Sequence, residues 1–223
     1  MNVQAVTPST PPQESVRAET AVILEGVSWQ TFKNLMADIG DSRACRVAYE
    51  RGKLEIRMPL PEHEEPKRLI ESFVESLADE LEIEIRSLGA LFLEREDLTR
   101  AVEPDTCFYI QNESKVRGKN IDLLNDPPPD LAFESDYTRS SLNKFNIYAL
   151  LGVPELWRYR KQSLQVYQLV EGKYEQSDKS LAFPILPIAE IPGFIEPSKT
   201  IGQRASVRLF RTRLREILQS SSQ

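Results

Sequence analysis

Three side chains able to act in acid, base or metal chemistry lie in or shortly after two short stretches of this sequence. Asp105 lies in EPDTCFYI, Glu134 lies in PDLAFES, and Lys144 follows ten residues after Glu134. Carboxylate oxygens are the ligands that Mg²⁺ and Mn²⁺ prefer, and an ammonium group can polarise a phosphate or help to position an attacking water. The residue types therefore fit a magnesium site that acts on a phosphate group.

The stretch PDLAFES predicts a strand whose two faces differ in polarity. Because side chains alternate along a strand, Asp130 and Glu134 point to the face opposite to Leu131 and Phe133. Four residues at about 3.3 Å each separate the two carboxylates by roughly 13 Å, so they cannot share one metal ion. We interpret Asp130 as a strand-start residue and seek the partner of Glu134 on another strand.

Asp105 is the best partner for Glu134, because it begins a second predicted strand that can lie alongside. Neighbouring strands are about 4.8 Å apart, so carboxylates on both can straddle one cation. Without a cation, two carboxylates about 4 Å apart repel by roughly 4 kcal/mol at an effective dielectric constant near 20. Either a cation binds or one carboxyl group is protonated. Glu50, at the end of an earlier strand, is a possible third carboxylate.

Each of these residues also has a purely structural interpretation. Lys144, in the first turn of the next predicted helix, could simply neutralise buried acids through a salt bridge. Asp105 follows a proline and could cap a surface turn. Both interpretations stay open from the residues alone.

The remaining pattern is a mixture of helices and strands. Ser28 and Gly40 are predicted to cap a helix, and RVAYERGKLEIRMPL predicts two strands with a turn at Arg51 and Gly52. Further helices are predicted from Pro66, from about Ser140 to Leu151, and at the C-terminus. Further predicted strands are IEIRSLGALFLE, PDTCFYI, PDLAFES, ELWRYR, SLQVYQLV and GKYEQS. The proline-rich segment 183–198 is expected to wrap the surface in extended form.

Length and composition favour one domain. The chain has 223 residues, of which 40% are hydrophobic, and we expect a flexible tail over residues 1–20, a domain over 21–198 and a C-terminal helical segment over 199–223. The sequence has no long apolar stretch and no signal-like start, so we expect a cytoplasmic protein without a membrane span. Cys45 and Cys107 are predicted to be reduced packing residues.

The charge pattern is acidic overall with one basic helical stripe. The net charge is −6, which argues against a protein coated in positive potential but leaves local patches open. At the C-terminus Arg204, Arg208, Arg211 and Arg215 fall on one helical face. This stripe could contact phosphates, although a solvated helix face is the simpler interpretation and the one we favour.

Taken together, these stretches resemble the Uma-two family of putative restriction endonucleases in the PD-(D/E)XK nuclease superfamily. The resemblance runs from about Val27 to Glu196 and includes YERGKLE and PEHEEPKRLIESF, while its most specific part is the run from Pro129 to Tyr159. It implies an α/β fold with a restriction-endonuclease-like core, in which a mixed central β-sheet is flanked by α-helices.

The resemblance also implies a metal-dependent phosphodiesterase site. It assigns catalytic roles to Asp105, Glu134 and Lys144, with Asp105, Glu134 and the main-chain carbonyl of Ser135 as ligands of Mg²⁺ or Mn²⁺. Glu50 and His63 match auxiliary positions. The superfamily motif would place lysine two residues after the glutamate, where this chain has Asp136, so Lys144 would be a lysine that has moved to the helix.

Two functions from different classes follow. The first is a magnesium-dependent DNA endonuclease. The second is a binding or regulatory protein on the same fold, whose site is degenerate and which acts through self-association or a partner. A homodimer fits both, because cutting two strands needs two sites and twofold symmetric pairs are the commonest oligomers.

Overall fold

The fold was described from a computed structural model of the chain. It describes residues 21–40, 43–58, 61–135 and 142–221, with only the main chain for 61–63 and 221. The predicted tail, residues 1–20, lies outside the described residues, and the predicted domain boundaries stay predictions. Within the described part of the chain, no helix is both long and apolar enough to cross a membrane.

Eleven strands are described, in two sheets. In chain order they are β1 (Ala21–Leu24), β2 (Arg46–Glu50), β3 (Lys53–Arg57), β4 (Arg86–Gly89), β5 (Leu93–Arg95), β6 (Arg100–Val102), β7 (Thr106–Tyr109), β8 (Leu131–Ser135), β9 (Glu155–Arg160), β10 (Ser163–Val170) and β11 (Lys173–Ser177). The central sheet has the order β11-β10-β9-β8-β7-β4, and the second sheet has the order β1-β3-β2-β6-β5. The central sheet is mixed, because β8 and β9 run parallel while its other pairs are antiparallel.

Helices lie on both faces of the central sheet. The described helices are α1 (Trp29–Ile39), α2 (Pro61–Leu81), α3 (Glu113–Val116), α4 (Lys144–Leu150), α5 (Pro192–Ile195), α6 (Ser198–Ile201) and α7 (Gln203–Ser221). Helix α1 packs on the second sheet. The apolar stripes of α2 and α7 pack together on the face that carries Leu131 and Phe133, with the rings of Phe73 and Phe210 4.4 Å apart. Helix α4 packs on the other face, against Ala132 and Cys107. The expected mixed α/β fold is therefore confirmed.

The alternation of PDLAFES explains this layering. Leu131 and Phe133 belong to the core under α2 and α7, whereas Ala132 belongs to the core under α4. A strand that separates two helical layers must bury both faces, and all five residues of β8 are buried. Glu134 consequently points into the α4 side of the sheet.

The described structure corrects several predicted elements. Helix α2 begins at Pro61 rather than at Pro66, which lies inside the helix; a proline there removes one main-chain hydrogen bond of a helix of 21 residues. Helix α4 begins at Lys144, capped by Asn143, rather than near Ser140. Residues 136–141 lie outside the description.

The stretch from Ile83 to Glu94 was predicted as one strand and forms two. Strand β4 ends at Gly89, where a register shift and a positive φ of 56° turn the chain, and β5 then joins the other sheet. Glycine adopts this left-handed conformation without the steric cost that other residues have. The sequence analysis also missed β1 and β6, which are short.

The proline-rich segment does not wrap the surface as predicted. It forms a 3-10 turn at Ile188–Glu190 and the short helices α5 and α6, and its large apolar side chains are buried in the core with α7. Buried Glu155 fixes the start of this segment by accepting the main-chain N–H groups of Leu181 and Ala182 at 2.6 and 2.9 Å. Burial of its apolar side chains stabilises the packed form of this segment, although its prolines interrupt regular secondary structure.

Candidate functional site

Strands β7 and β8 bring Asp105 and Glu134 together. The antiparallel register pairs Thr106 with Phe133 and Cys107 with Ala132, so one residue further along Asp105 lies opposite Glu134. Residues that face each other across antiparallel strands point to the same side, with their β-carbons about 5 Å apart. The two carboxylates that the sequence placed on separate strands therefore share one face of the sheet.

The main chain of β8 holds the Asp105 side chain in place. The N–H of Ser135 donates to Asp105 Oδ2 at 2.6 Å, and the N–H of Asp105 donates to the carbonyl oxygen of Phe133 at 3.1 Å. The carboxylate of Asp105 thus takes the place of a main-chain acceptor, and the pairing of β7 with β8 ends there. Its orientation is fixed at the point where β7 and β8 separate.

Helix α4 supplies two donors to buried Glu134. Lys144 Nζ lies 3.0 Å from Oε1 and 2.8 Å from Oε2, and the Tyr148 hydroxyl donates to Oε1 at 2.5 Å. Lys144 and Tyr148 are four residues apart, so they lie on one face of the helix. The sequence analysis missed Tyr148, although its i+4 spacing from Lys144 was available as a signal.

The pKa of Asp105 is raised from 3.8 to about 7. The residue keeps some exposed surface, yet protein atoms surround its carboxyl group densely, and loss of solvation is the largest cause. The negative charge of Glu134 raises the pKa further, while Lys144, the Ser135 N–H and Arg46 oppose the shift. Lys144 binds Glu134 directly, whereas Arg46 acts on Asp105 only as the weakest of the five effects, so the two carboxylates are left short of positive charge. Arg46 is a second residue that the sequence analysis missed.

Tyr148 remains a proton donor over the ordinary pH range. Burial is the largest cause that raises the pKa of its hydroxyl well above 10, and the negative charge of Glu134 and the hydrogen bond to it add to the effect. A neutral phenol hydrogen bonded to a carboxylate orients that carboxylate without changing the charge balance. Tyr148 therefore positions Glu134.

The oxygen atoms at this site suit a hard divalent cation. Magnesium is commonly bound through one or two carboxylates, with its other positions filled by water and by substrate phosphate. Asp105 and Glu134 could supply those carboxylates, and the carbonyl of Ser135 is the predicted third ligand. Within the ranges that the structure describes, no group of three or more His, Cys, Asp or Glu side chains is placed to hold a metal. A donor set made only of oxygen atoms fits magnesium better than zinc, which favours nitrogen and sulfur ligands.

The two predicted auxiliary residues are Glu50 and His63. Glu50 Oε1 lies 3.1 Å from Arg100 Nε and 2.7 Å from Asn146 Nδ2, so it ties β2 to β6 and to α4. The structure gives Glu50 these partners rather than Asp105 or Glu134. His63 lies in the first turn of α2 rather than ahead of it, and its side chain is outside the description.

Asp130 is separate from the site, in agreement with its interpretation as a strand-start residue. Its carboxylate accepts the N–H groups of Ile110 and Asn112 at 2.7 and 2.9 Å and the side-chain amide of Asn112 at 2.6 Å. These bonds fix the loop after β7. The second Pro-Asp of the sequence is thus structural.

The basic stripe of α7 is partly consumed by ion pairs. Arg211 and Arg215 both bind Glu80 of α2, with Nη2–Oε1 distances of 2.9 and 2.7 Å. Arg204 and Arg208 are exposed on the same helix. This arrangement favours a structural role for the stripe, because Arg211 and Arg215 join α7 to α2.

Comparisons with known proteins identify the family of the chain. The family model described as Uma2, putative restriction endonuclease, matches residues 29–195. A crystal structure of a putative nuclease belonging to DUF820 from Anabaena variabilis ATCC 29413 superposes with a TM-score of 0.53 at 18% sequence identity, covering 75% of this chain and 98% of the other. At that identity the structural likeness supports the fold alone. No curated protein matches the chain. The family match spans most of the chain, including Asp105, Glu134 and Lys144, and the chain belongs to the Uma2 family of putative restriction endonucleases.

Proposed function

We propose that this protein is a metal-dependent nuclease that hydrolyses phosphodiester bonds in DNA, with Asp105, Glu134 and Lys144 as its catalytic residues. The family places it among nuclease-like proteins. The observation that carries the proposal is the juxtaposition of Asp105 and Glu134 across β7 and β8, with Lys144 Nζ within 3.0 Å of both Glu134 oxygens. The proposal also includes a homodimer, because cleavage of both DNA strands needs two sites. The proposed location is the cytoplasm.

The raised pKa of Asp105 supports a cation at this place. Two carboxylates that share one ammonium group repel each other, and a divalent cation removes that cost more completely than one proton does. Asp105, Glu134 and the Ser135 carbonyl would hold Mg²⁺ or Mn²⁺. When bound, the ion supplies Lewis-acid stabilisation of the phosphate and lowers the pKa of water.

The chain's own residues have separate tasks in the proposed reaction. Tyr148 holds Oε1 of Glu134 and so leaves Oε2 free to turn toward a ligand when Lys144 moves away. Lys144 then donates to a non-bridging oxygen of the scissile phosphate, where negative charge grows during attack by water. The Ser135 N–H keeps Asp105 in a fixed orientation throughout.

A plasmid-nicking assay tests this proposal. We expect wild-type protein to nick supercoiled DNA in Mg²⁺ or Mn²⁺ and to lose that activity in EDTA, while Asp105→Ala and Lys144→Ala show at least about 100-fold less nicking. Equal cleavage by all three proteins would identify a contaminating nuclease and contradict the proposal.

A second candidate function is a binding or regulatory module with a degenerate site. The observation that favours it is the pairing of both Glu134 oxygens with Lys144, which neutralises Glu134 without any metal. Calorimetry with Mn²⁺ separates the two candidates. Binding that Asp105→Ala abolishes supports the nuclease, whereas no heat at millimolar-range Mn²⁺ supports the module.

A further inference from the structure

A cleft near the candidate site is rich in cations. It has a volume of about 460 Å³ and is lined by residues of β4, of the segment that joins β4 to β5, and of the loop after α3. Its charged members are Arg43, Arg86, Lys119 and Glu103. We call it the β4 cleft.

The cations of the β4 cleft are unequally compensated. Arg43 forms a buried ion pair with Glu103, so these two charges cancel. Arg86 donates instead to the carbonyl oxygens of Val116 and Lys119, and no ion pair between Arg86 and a carboxylate is found within the described residues. The guanidinium is thus held in place by neutral acceptors. Its charge also acts on the Glu113 carboxylate, but Glu113 is itself paired with Arg117, so Arg86 is compensated only in part.

Lys119 adds a second cation at the rim. Its side chain is 56% exposed, and its Nζ lies 3.2 Å from Oδ1 of Asp126, whose side chain is only 11% exposed. Asp126 also accepts the main-chain N–H of Asp122 at 3.1 Å, so its carboxylate keeps a donor when the exposed ammonium group turns to another anion. The cleft therefore offers two positive charges on a chain whose net charge is −6.

The β4 cleft also lies close to the candidate site. Glu103 lines the cleft and precedes Asp105 by two residues, which places their α-carbons within about 7 Å. A nucleic acid strand carries one phosphate for about every 3.4 Å of axis, so a strand with a phosphate at Asp105 reaches the cleft within a few nucleotides. The ring of Phe92 lines the same cleft and provides an apolar wall for a sugar or base.

We infer that the β4 cleft binds a backbone phosphate of the same DNA strand that passes Asp105, with Arg86 and Lys119 as the contacting cations. The inference rests on the proposed nuclease function, since it extends the path of that substrate. The cleft is a positioning site and takes no part in bond cleavage.

Binding without metal tests the inference apart from catalysis. A short fluorescein-labelled DNA duplex is titrated in EDTA and read by fluorescence anisotropy at several KCl concentrations. Lys119→Ala should weaken binding several-fold and lower the slope of log K against log salt by about 1, because one phosphate contact is lost. Lys173→Ala is the matched control, since Lys173 is exposed on β11 at the opposite edge of the same sheet. Thermal unfolding confirms that both variants are folded.

The outcomes separate the inference from the proposed function. Loss with Lys119→Ala but not with Lys173→Ala supports the β4 cleft, even when metal-dependent cleavage is absent. Equal losses, or none, overturn the inference, and cleavage by wild type in Mg²⁺ would then leave the proposed function intact. Inorganic pyrophosphate is the second arm. Binding of pyrophosphate that depends on Lys119, without binding of DNA, would assign the cleft to free phosphates and overturn the inference.

Discussion

Two clusters of carboxylates and cations differ sharply in this protein. The first joins Asp105, Glu134 and Lys144 between β7, β8 and α4. The second joins Glu80 of α2 to Arg211 and Arg215 of α7. The pKa of Asp105 is raised to about 7, chiefly by loss of solvation, whereas that of Glu80 is lowered to about 2, chiefly by its hydrogen bond to Arg215.

The difference lies in stoichiometry and burial. Around Glu80, the guanidinium groups of Arg211 and Arg215 meet two carboxylates, because Arg211 also lies 3.6 Å from Asp79, so the charges balance. At the first cluster, Lys144 binds Glu134 while Asp105 lies beside it inside the fold with only weak compensation from Arg46. A cluster that the chain leaves short of positive charge is a candidate for binding a cation or a charged substrate, while a satisfied cluster is a structural link.

The largest expected effect comes from comparing the same Glu→Gln substitution made separately in each cluster. Glu134→Gln removes a charge from the candidate site and should lower metal-dependent nicking by at least about 100-fold. Glu80→Gln makes the same chemical change far from the site and should leave nicking unaltered. Supercoiled plasmid with Mg²⁺ is the substrate for both, and equal activity of the two variants would contradict the contrast.

The next effect concerns stability and pH. Between 3.8 and about 7 the folded protein holds a proton on Asp105 that the unfolded chain has released, so the free energy of unfolding falls as pH rises through this window. At 1.36 kcal/mol per pKa unit the cost at high pH reaches about 4 kcal/mol, and partial access of solvent reduces it to about 2 kcal/mol.

Asp105→Asn removes this cost, because an amide oxygen can still accept the Ser135 N–H. In urea titrations with EDTA, the variant should be more stable than wild type by about 2 kcal/mol near pH 8 and equally stable near pH 4. A difference that does not change with pH would show that Asp105 is ionised throughout.

A smaller effect is expected at Tyr148. Tyr148→Phe removes the donor to Glu134 Oε1 and should weaken Mn²⁺ binding by about tenfold, the lower end of what such orienting partners contribute. Isothermal calorimetry without DNA measures this directly. Tyr174→Phe is the control, because the Tyr174 hydroxyl donates at 2.7 Å to the carbonyl oxygen of Val153, outside the candidate site. Equal Mn²⁺ affinities of the two variants would contradict the proposed role of Tyr148 in positioning Glu134.

The smallest effect is expected from the surface cluster. Glu80→Gln should lower the free energy of unfolding by no more than about 1 kcal/mol, because Arg211 and Arg215 are 37% and 58% exposed and water screens the pairs. Since the pKa of Glu80 is lowered, this contribution is present above about pH 4.5 and disappears as pH falls toward about 2. Urea titrations of wild type and variant at pH 6 and pH 3 should show the gap closing at the lower pH. A difference of several kcal/mol in the free energy of unfolding would mean that the packing of α7 depends on the ion pairs of Glu80.

Local patterns were sufficient for much of the fold. The cap at Ser28, the hairpin turn at Arg51 and Gly52, and the three strands after α4 were predicted from neighbouring residues and are present. The failures came where distant residues decide. Apolar burial drew the proline-rich segment into the core, and Gly89 divided one predicted strand between two sheets.

For the candidate site, the sequence by itself determined the residue types and the face of β8 on which Glu134 lies, because side-chain alternation is a local property of a strand. Only the tertiary structure decided that Asp105 lies opposite Glu134, that Tyr148 holds the same carboxylate as Lys144, and that Glu50 is paired with Arg100 and Asn146. Register between strands and the packing of α4 depend on contacts between residues far apart in the chain, and no local pattern encodes them.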